Sequence, residues 1–294
     1  MSVSAGSRGV DNSATRHQLN LPERPLPQQP LKEGSMKAKT TSSPHSKSLG
    51  WLPDVPDHRD HLYAAPAEWL AKLPPKVDLR PNCPPVYDQG QLGSCTANAI
   101  AAAIEFDQMK QKTKYFMPSR LFIYYNERVM EGTVNSDSGA QIRDGIKSVG
   151  VQGDCPEPLW PYNIANFEDE PPVSCYNNAV MHRAILYQRV ARTANQMKGC
   201  LASGYPFVFG FSVYESFMTS AVAKTGHADM PKPNEEMEGG HAVLAVGYDD
   251  TKQWFFVRNS WGPGWGIRGY FTLPYAYLLD QNLSDDFWTI RAVK

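Results

Sequence analysis

The sequence has no apolar run of the roughly 18–20 residues that a membrane span requires, and no apolar core of a signal peptide in its first thirty residues. It also lacks an excess of charge, because 29 Lys and Arg face 30 Asp and Glu. Binders of nucleic acids or membrane surfaces usually carry a basic face, so neither partner is expected. Five cysteines are too few for a disulfide scaffold, and the odd number leaves at least one thiol unpaired within the chain.

The first fifty residues contain no aromatic side chain and hold seven Lys or Arg against three Asp or Glu. Such a segment cannot bury enough apolar surface to offset its ordering entropy, so residues 1–49 are predicted to form a flexible leader with little contact to the body. Residues 50–72 differ, because anchors such as Trp51 and Trp69 alternate with stiffening prolines. This stretch is predicted to dock on the body of the protein. The alternative is that both tryptophans pack on an outer surface.

The body starts with helical patterns and continues with strand patterns. Ser94 is a plausible N-cap for a long helix, and further helices are predicted over 120–130, opening at Pro118, and over 140–148. Runs rich in Val, Phe, Tyr and Trp predict strands at Phe207–Val213, Ala242–Tyr248, Trp254–Val257, Tyr270–Leu273 and Trp288–Val293. Helices followed by strands are typical of an α+β fold with two lobes.

Three separated positions carry the chemistry. Cys95 opens the first predicted helix, where backbone N–H groups favour a thiolate. His241 follows two glycines and precedes an apolar strand, which suits a base at a cleft. Asn259 ends another strand in a turn rich in Gly and Trp, and its amide can accept a ring N–H from the histidine. Taken singly, these positions have simpler explanations. The cysteine alone would be interpreted as an inert buried residue, and the histidine alone is as consistent with a core residue as with a base.

Taken together, three stretches resemble the papain family of cysteine peptidases over about residues 73–294. They are Gln89-Gly90-Gln91-Leu92-Gly93-Ser94-Cys95, Gly240-His241-Ala242-Val243 and Asn259-Ser260-Trp261-Gly262. His241 lies 146 and Asn259 164 residues after Cys95, against about 130–150 for that family. The resemblance implies a papain-like fold with a helical lobe at about 82–180, an antiparallel β-barrel-like lobe at about 181–294, and an active site in the cleft between them.

The resemblance also implies the catalytic roles. Cys95 resembles the nucleophile, His241 the base and later acid, and Asn259 the residue that orients the imidazole. Gln89 resembles the oxyanion donor that acts with the Cys95 backbone N–H. A thiolate–imidazolium pair is expected before substrate arrives.

Four further positions resemble the residues that bind an extended peptide by strand addition. Ser138 and Gly139 resemble the pair whose backbone bonds the substrate, Gly240 the acceptor of a substrate N–H, and Trp261 the wall on the leaving-group side. The expected partners are polypeptide substrates, and no cofactor or metal is implied.

The sequence departs from papain in places. Leu92 and Thr96 stand where papain has Cys and Trp, so the disulfide beside the active site cannot form. The other four cysteines could form zero, one or two disulfide bridges, and the sequence does not choose between these. These cysteines are Cys83, Cys155, Cys175 and Cys200. The flanks and the stretch 50–60 look most like a bacterial branch of the family.

The resulting hypothesis is a cysteine endopeptidase that works through an acyl-enzyme thioester. Residues 50–72 are expected to act as its intramolecular inhibitor, with the catalytic domain at 73–294. The alternatives are a papain-fold acyl transferase and a binding protein without turnover. The intact set of catalytic residues weighs against the second, and a fluorogenic dipeptide assay with a thiol inhibitor separates all three.

Overall fold

The computed structural model of the chain describes residues 48–55 and 57–294. Most of the predicted leader therefore lies outside the described residues. The helices in the described part are α1 (Ala67–Ala71), α2 (Cys95–Gln111), α3 (Arg120–Glu131), α4 (Ile142–Val151), α5 (Val173–Ala179), α6 (Ala194–Ala202), α7 (Ser220–Thr225) and α8 (Tyr275–Leu279).

The strands form a small and a large sheet. They are β1 (Trp51–Leu52), β2 (Leu62–Tyr63), β3 (Lys76–Asp78), β4 (Ala140–Gln141), β5 (Ala184–Val190), β6 (Phe207–Tyr214), β7 (Met237–Asp249), β8 (Trp254–Arg258), β9 (Tyr270–Pro274) and β10 (Ser284–Val293). The large sheet has the order β2-β5-β10-β6-β7-β8-β9, with β3 paired to β7, and is antiparallel except at β2–β5. Strands β1 and β4 pair in parallel as a separate two-stranded sheet.

The predicted two-lobed α+β architecture is confirmed. Helix α2 is rich in alanine and almost wholly buried, and it packs against α3 and α4 on one side and against β7 and β10 on the other. Small side chains allow this close approach from both sides. Because Cys95 is the first residue of α2 and His241 lies in β7, the packing of these two elements brings the predicted site together.

Several boundaries differ from the predictions for identifiable reasons. Helix α3 has Ser119 as its N-cap, whose side chain accepts from the N–H of Phe122, so Pro118 lies just outside the helix. Helix α4 starts two residues later than predicted, because Ala140 and Gln141 pair with β1. Strand β7 begins at Met237, five residues before the predicted start, because pairing with β6 continues past the glycines.

All five cysteines are free thiols, so none of the bridges left open by the sequence is present. Within the described residues, no helix combines the length and apolarity of a membrane span.

Candidate active site

The Cys95 side chain is fully buried at the first turn of α2. Ser94 occupies the N-cap position, but its side chain does not cap the helix. The backbone N–H of Ala242 donates to the Cys95 sulfur at 3.3 Å. The sulfur therefore lies directly against β7, one residue from His241.

His241 is held by Asn259. The distance between His241 Nε2 and Asn259 Oδ1 is 2.8 Å, and Oδ1 also accepts from the backbone N–H of Ser260 at 2.8 Å. Because Oδ1 accepts from that N–H, Nε2 must carry the proton that it shares with Asn259. The other ring nitrogen, Nδ1, is buried and has no hydrogen-bond partner among the described residues. It is thus the nitrogen left to exchange a proton.

Aromatic rings enclose this pair. The indole of Trp261 stacks on the imidazole with ring centroids 4.7 Å apart, and Phe211, paired with His241 across β6 and β7, meets the ring edge-on at 5.8 Å. Trp261 also lines a cavity of about 570 Å³ together with Met218, Ala223, Pro263 and Trp265. The stacked rings shield the His241–Asn259 bond from water, which strengthens it.

The Gln89 amide is fixed on both sides. Ser260 Oγ donates to Gln89 Oε1 at 2.5 Å, and the Gln89 backbone N–H donates to the Ser260 carbonyl at 2.8 Å. Its Nε2 group then donates to the carbonyls of Leu92 at 3.0 Å and Ser48 at 3.2 Å. The predicted oxyanion donor therefore already holds a carbonyl oxygen of the chain itself.

Burial disfavours charge on both members of the central pair. It raises the pKa of the Cys95 thiol to about 12, against the opposing backbone N–H groups of Ala242, Gly50 and Thr96. It also lowers the pKa of His241 to about 4, although the bond to Asn259 acts in the other direction. With the segment in place, burial disfavours charge on both the thiol and the imidazole, which opposes the ion pair expected from the sequence.

The cover is formed by residues 48–54. The Gly50 N–H donates to the Gly240 carbonyl at 2.9 Å, and the Gly50 carbonyl accepts from the Ala140 N–H at 2.8 Å. A Cβ atom on Gly50 would stand 1.9 Å from the carbonyl oxygen of Gly93, so only glycine fits there. The expectation that residues 1–49 make little contact is wrong for Ser48 and also for Leu49, which packs against the core.

Trp51 anchors this segment in the interior. Its indole lies against Gly210, where a Cβ atom would stand 1.9 Å from the ring, and its N–H donates to Asp286 at 3.0 Å. The Asp54 N–H donates to the same carboxylate at 2.8 Å. Arg189 bridges the two carboxylates, at 3.3 Å to Asp54 and 2.9 Å to Asp286. Trp51 therefore packs in the interior, so the alternative of an outer surface is wrong for Trp51. Trp69, in α1, is exposed, so its prediction as an anchor is wrong.

Two of the predicted substrate-binding residues contact the covering segment directly. Gly139 and Gly240 touch it directly, since an added Cβ atom would stand 2.1 Å from the Gly50 oxygen and 2.3 Å from the Trp51 oxygen, respectively. The Ser138 hydroxyl donates to the Gly139 carbonyl, at 3.3 Å. The backbone N–H that donates to the Gly50 carbonyl belongs to Ala140, one residue beyond the predicted pair.

Sequence reasoning missed Ala140 and Asp286. Ala140 donates through its backbone, which carries no sequence signal beyond its position after a glycine. Asp286 lies in β10, far along the chain from the segment that it binds. Among the described residues, no group of acidic, His or Cys side chains is arranged to hold a metal ion.

Comparison with known proteins agrees with this geometry. Residues 73–278 match the model of the papain family cysteine proteases. The crystal structure of xylellain, a cysteine protease from Xylella fastidiosa, is 47% identical, covers 84% of this chain and 97% of its own, and superposes with a TM-score of 0.79. A peptidase C1-like protein of Acanthamoeba polyphaga mimivirus, L477, is 44% identical over 84% of this chain and 88% of its own length. Cathepsin B-like CP3 of Giardia intestinalis is 28% identical over 69% of each chain.

The predicted resemblance is thereby confirmed, since the family model spans more than half of the chain and two relatives exceed 40% identity. The protein belongs to the papain family of cysteine proteases and is a cysteine peptidase.

Proposed function

We propose that Cys95 is the nucleophile of this peptidase and that His241 is its proton carrier. The sulfur lies at the start of a helix, where N–H groups stabilise negative charge once the cleft is open to water. Nδ1 of His241 accepts the thiol proton and later donates it to the leaving amine. Asn259 keeps the ring in the tautomer and orientation that this transfer needs, as the 2.8 Å bond to Nε2 supports.

The tetrahedral intermediate forms when the thiolate attacks the carbonyl carbon of a peptide bond. Its oxygen accepts hydrogen bonds from Gln89 Nε2 and from the backbone N–H of Cys95. The C–N bond then breaks as His241 protonates the amine, which leaves an acyl-enzyme thioester. Water attacks the thioester, with His241 taking its proton, and the acid product and free thiol are released.

The segment from Ser48 to Asp54 keeps the enzyme latent. Its Ser48 carbonyl holds Gln89 Nε2, and its Gly50 backbone uses the Gly240 carbonyl and the Ala140 N–H. These are the groups that an extended peptide substrate would use. A substrate can bind only after the segment has left, and the neutral Cys95–His241 pair can ionise only then.

One observation carries the catalytic assignment: a buried histidine, oriented by an asparagine, directly precedes the residue whose N–H donates to a cysteine sulfur at a helix start. Hydrolysis of a fluorogenic dipeptide tests it. Cys95→Ala is expected to abolish turnover, whereas Cys→Ser at the other four cysteines should leave it within about tenfold, or about 1.4 kcal/mol of barrier. Full activity of Cys95→Ala would refute the assignment.

The same assay tests latency. A protein that begins at residue 73 should show a higher kcat/KM than the full chain, and a peptide of residues 48–72 should inhibit it competitively. Equal activity of the two proteins, without a lag or self-cleavage, would refute the inhibitory role of the segment.

A further inference from the structure

The two donors of the oxyanion site come from different parts of the chain. Gln89 lies in the loop before α2, whereas the second donor is the backbone N–H of Cys95, the first residue of the helix. A site of this kind works only if both donors point at the same oxygen before the reaction starts. A group that connects the Gln89 loop to the first turn of α2 therefore affects how well the two donors bind the oxyanion.

The hydroxyl of Tyr162 makes this connection. It donates to the backbone carbonyl of Gln89 at 3.0 Å, and it lies 2.5 Å from the Ser94 hydroxyl. Asn98 Nδ2 donates to the Ser94 hydroxyl at 3.1 Å and to the Ser94 carbonyl at 2.9 Å. Each hydroxyl thus accepts one hydrogen bond and donates one, which forms a continuous chain from α2 to the Gln89 loop.

The ring of Tyr162 is itself held in place. The Arg120 guanidinium lies 4.1 Å above its centroid, and Glu157 accepts from the Tyr162 backbone N–H at 3.0 Å. Arg120 and Glu157 form an ion pair of 2.9 Å whose side chains are mostly buried. Arg120 also donates to Asn98 Oδ1 at 3.3 Å, which sets the Asn98 amide to donate to Ser94. Burial raises the pKa of Tyr162 to about 12, so the phenol keeps its proton at neutral pH.

We infer that Tyr162 is a positioning residue for the oxyanion site, fixing the Gln89 loop relative to the first turn of α2. This inference rests on the proposed roles of Cys95 and Gln89. Tyr162 does not touch the substrate and acts through the two donors. Its loss should therefore weaken stabilisation of the oxyanion and leave the reactivity of the thiol unchanged.

The test uses the full chain carrying Gly50→Val as the reference, because a side chain at residue 50 would clash with the Gly93 carbonyl and keep the covering segment from docking. Tyr162→Phe in this background removes only the hydroxyl. Loss of a direct oxyanion donor costs about 10²–10³ in kcat, and loss of its support is expected to cost about tenfold, with KM within about twofold.

Two inhibitors separate this role from a general structural one. A peptide aldehyde adds to the Cys95 thiol, the thiol proton passing to the former carbonyl oxygen, which then occupies the oxyanion site. Its inhibition constant should rise about tenfold in Tyr162→Phe. Iodoacetamide alkylates the thiolate without using the oxyanion donors, so its rate should stay within about twofold.

Matched variants complete the experiment. Tyr176→Phe also removes one tyrosine hydroxyl bond, to Asn126 at 3.3 Å, and should change none of these values. In a Gln89→Ala background, Tyr162→Phe should have little further effect. Ser94→Ala breaks the same connection from the other end and should reproduce the loss if Tyr162→Phe does not fold.

The outcomes are distinct. Unchanged kcat and aldehyde inhibition in Tyr162→Phe and Ser94→Ala would overturn the inference, as would an equal loss of iodoacetamide reactivity. If Gln89→Ala left kcat unchanged, the proposed function of Gln89 would fail, and the inference would fail with it.

Discussion

The carbonyl oxygen of Gly50 lies 2.1 Å from the point where a Cβ atom on Gly139 would stand. The two backbones therefore touch at a place where Gly139 cannot carry a side chain, and the Gly93 carbonyl excludes one at Gly50. Gly139 has a φ of +76°, which glycine adopts readily and other residues rarely do. A strand of the protein's own N-terminal segment thus lies in the cleft at backbone contact distance, which is the basis of the latency proposed above.

Trp51→Ala is expected to release the segment. The indole is buried and donates to Asp286, and truncating a buried tryptophan costs about 3–5 kcal/mol. The kcat/KM of the full chain for a dipeptide should rise at least about tenfold. Leu52→Ala is the matched control, because Leu52 is 40% exposed on the same strand. Equal effects of the two variants would show that Trp51 is no anchor.

His241 and Asn259 should differ in the size of their effects. His241→Ala removes the proton carrier and should reduce turnover to near background, whereas Asn259→Ala leaves a histidine that still moves protons but is less well oriented. In a cleft opened by Gly50→Val, Asn259→Ala should keep at least about tenfold more activity than His241→Ala. The reverse order, measured as kcat, would contradict the assigned roles.

Docking of the segment should depend on pH through Asp286. Burial and the neighbouring Asp54 raise the pKa of Asp286 above its usual value, against Arg189 and the Asp54 N–H; Asp285 also faces it. A carboxyl whose pKa is higher when the segment is docked takes up a proton on docking. The stabilisation that protonated Asp286 gives to the docked segment is therefore full at low pH, and it is lost as the pH rises from about 4 towards neutral.

Calorimetric binding of a peptide of residues 48–60 to the protein that begins at residue 61 checks this sign. The peptide should bind more tightly at pH 5 than at pH 7.5, and Asp286→Asn should flatten the difference. Tighter binding at the higher pH would contradict the predicted direction.

Residues 61–72 should stabilise the fold independently of the covering segment. Tyr63 and Ala65 are buried, the Ala65 N–H donates to Gln196 at 2.7 Å, and the Arg189 N–H donates to the His61 carbonyl at 2.8 Å. Burying one large side chain contributes about 1.5–3 kcal/mol. A protein that begins at residue 73 should therefore melt at least about 3 °C below one that begins at residue 61. Equal melting temperatures would show that this stretch adds no stability.

Those parts of the fold with a local signal could be predicted from the sequence. Cys95 follows a glycine-containing stretch and opens α2, and His241 follows two glycines within β7, so both positions carry a local signal. Strand β5 was not predicted, because Ile185 and Leu186 are both exposed and the strand shows no alternation. Tyr162 and Asp286 act through contacts with residues far away in the chain, which no local pattern records.

The rate at which iodoacetamide alkylates Cys95, measured by peptide mapping at pH 7, tests the central claim most directly. In the full chain Cys95 should react slowly, because the segment covers it and burial holds it as a neutral thiol. In Gly50→Val its rate should rise at least about tenfold, while the rates of the other four cysteines stay unchanged. Equal and rapid alkylation of Cys95 in both proteins would contradict the account.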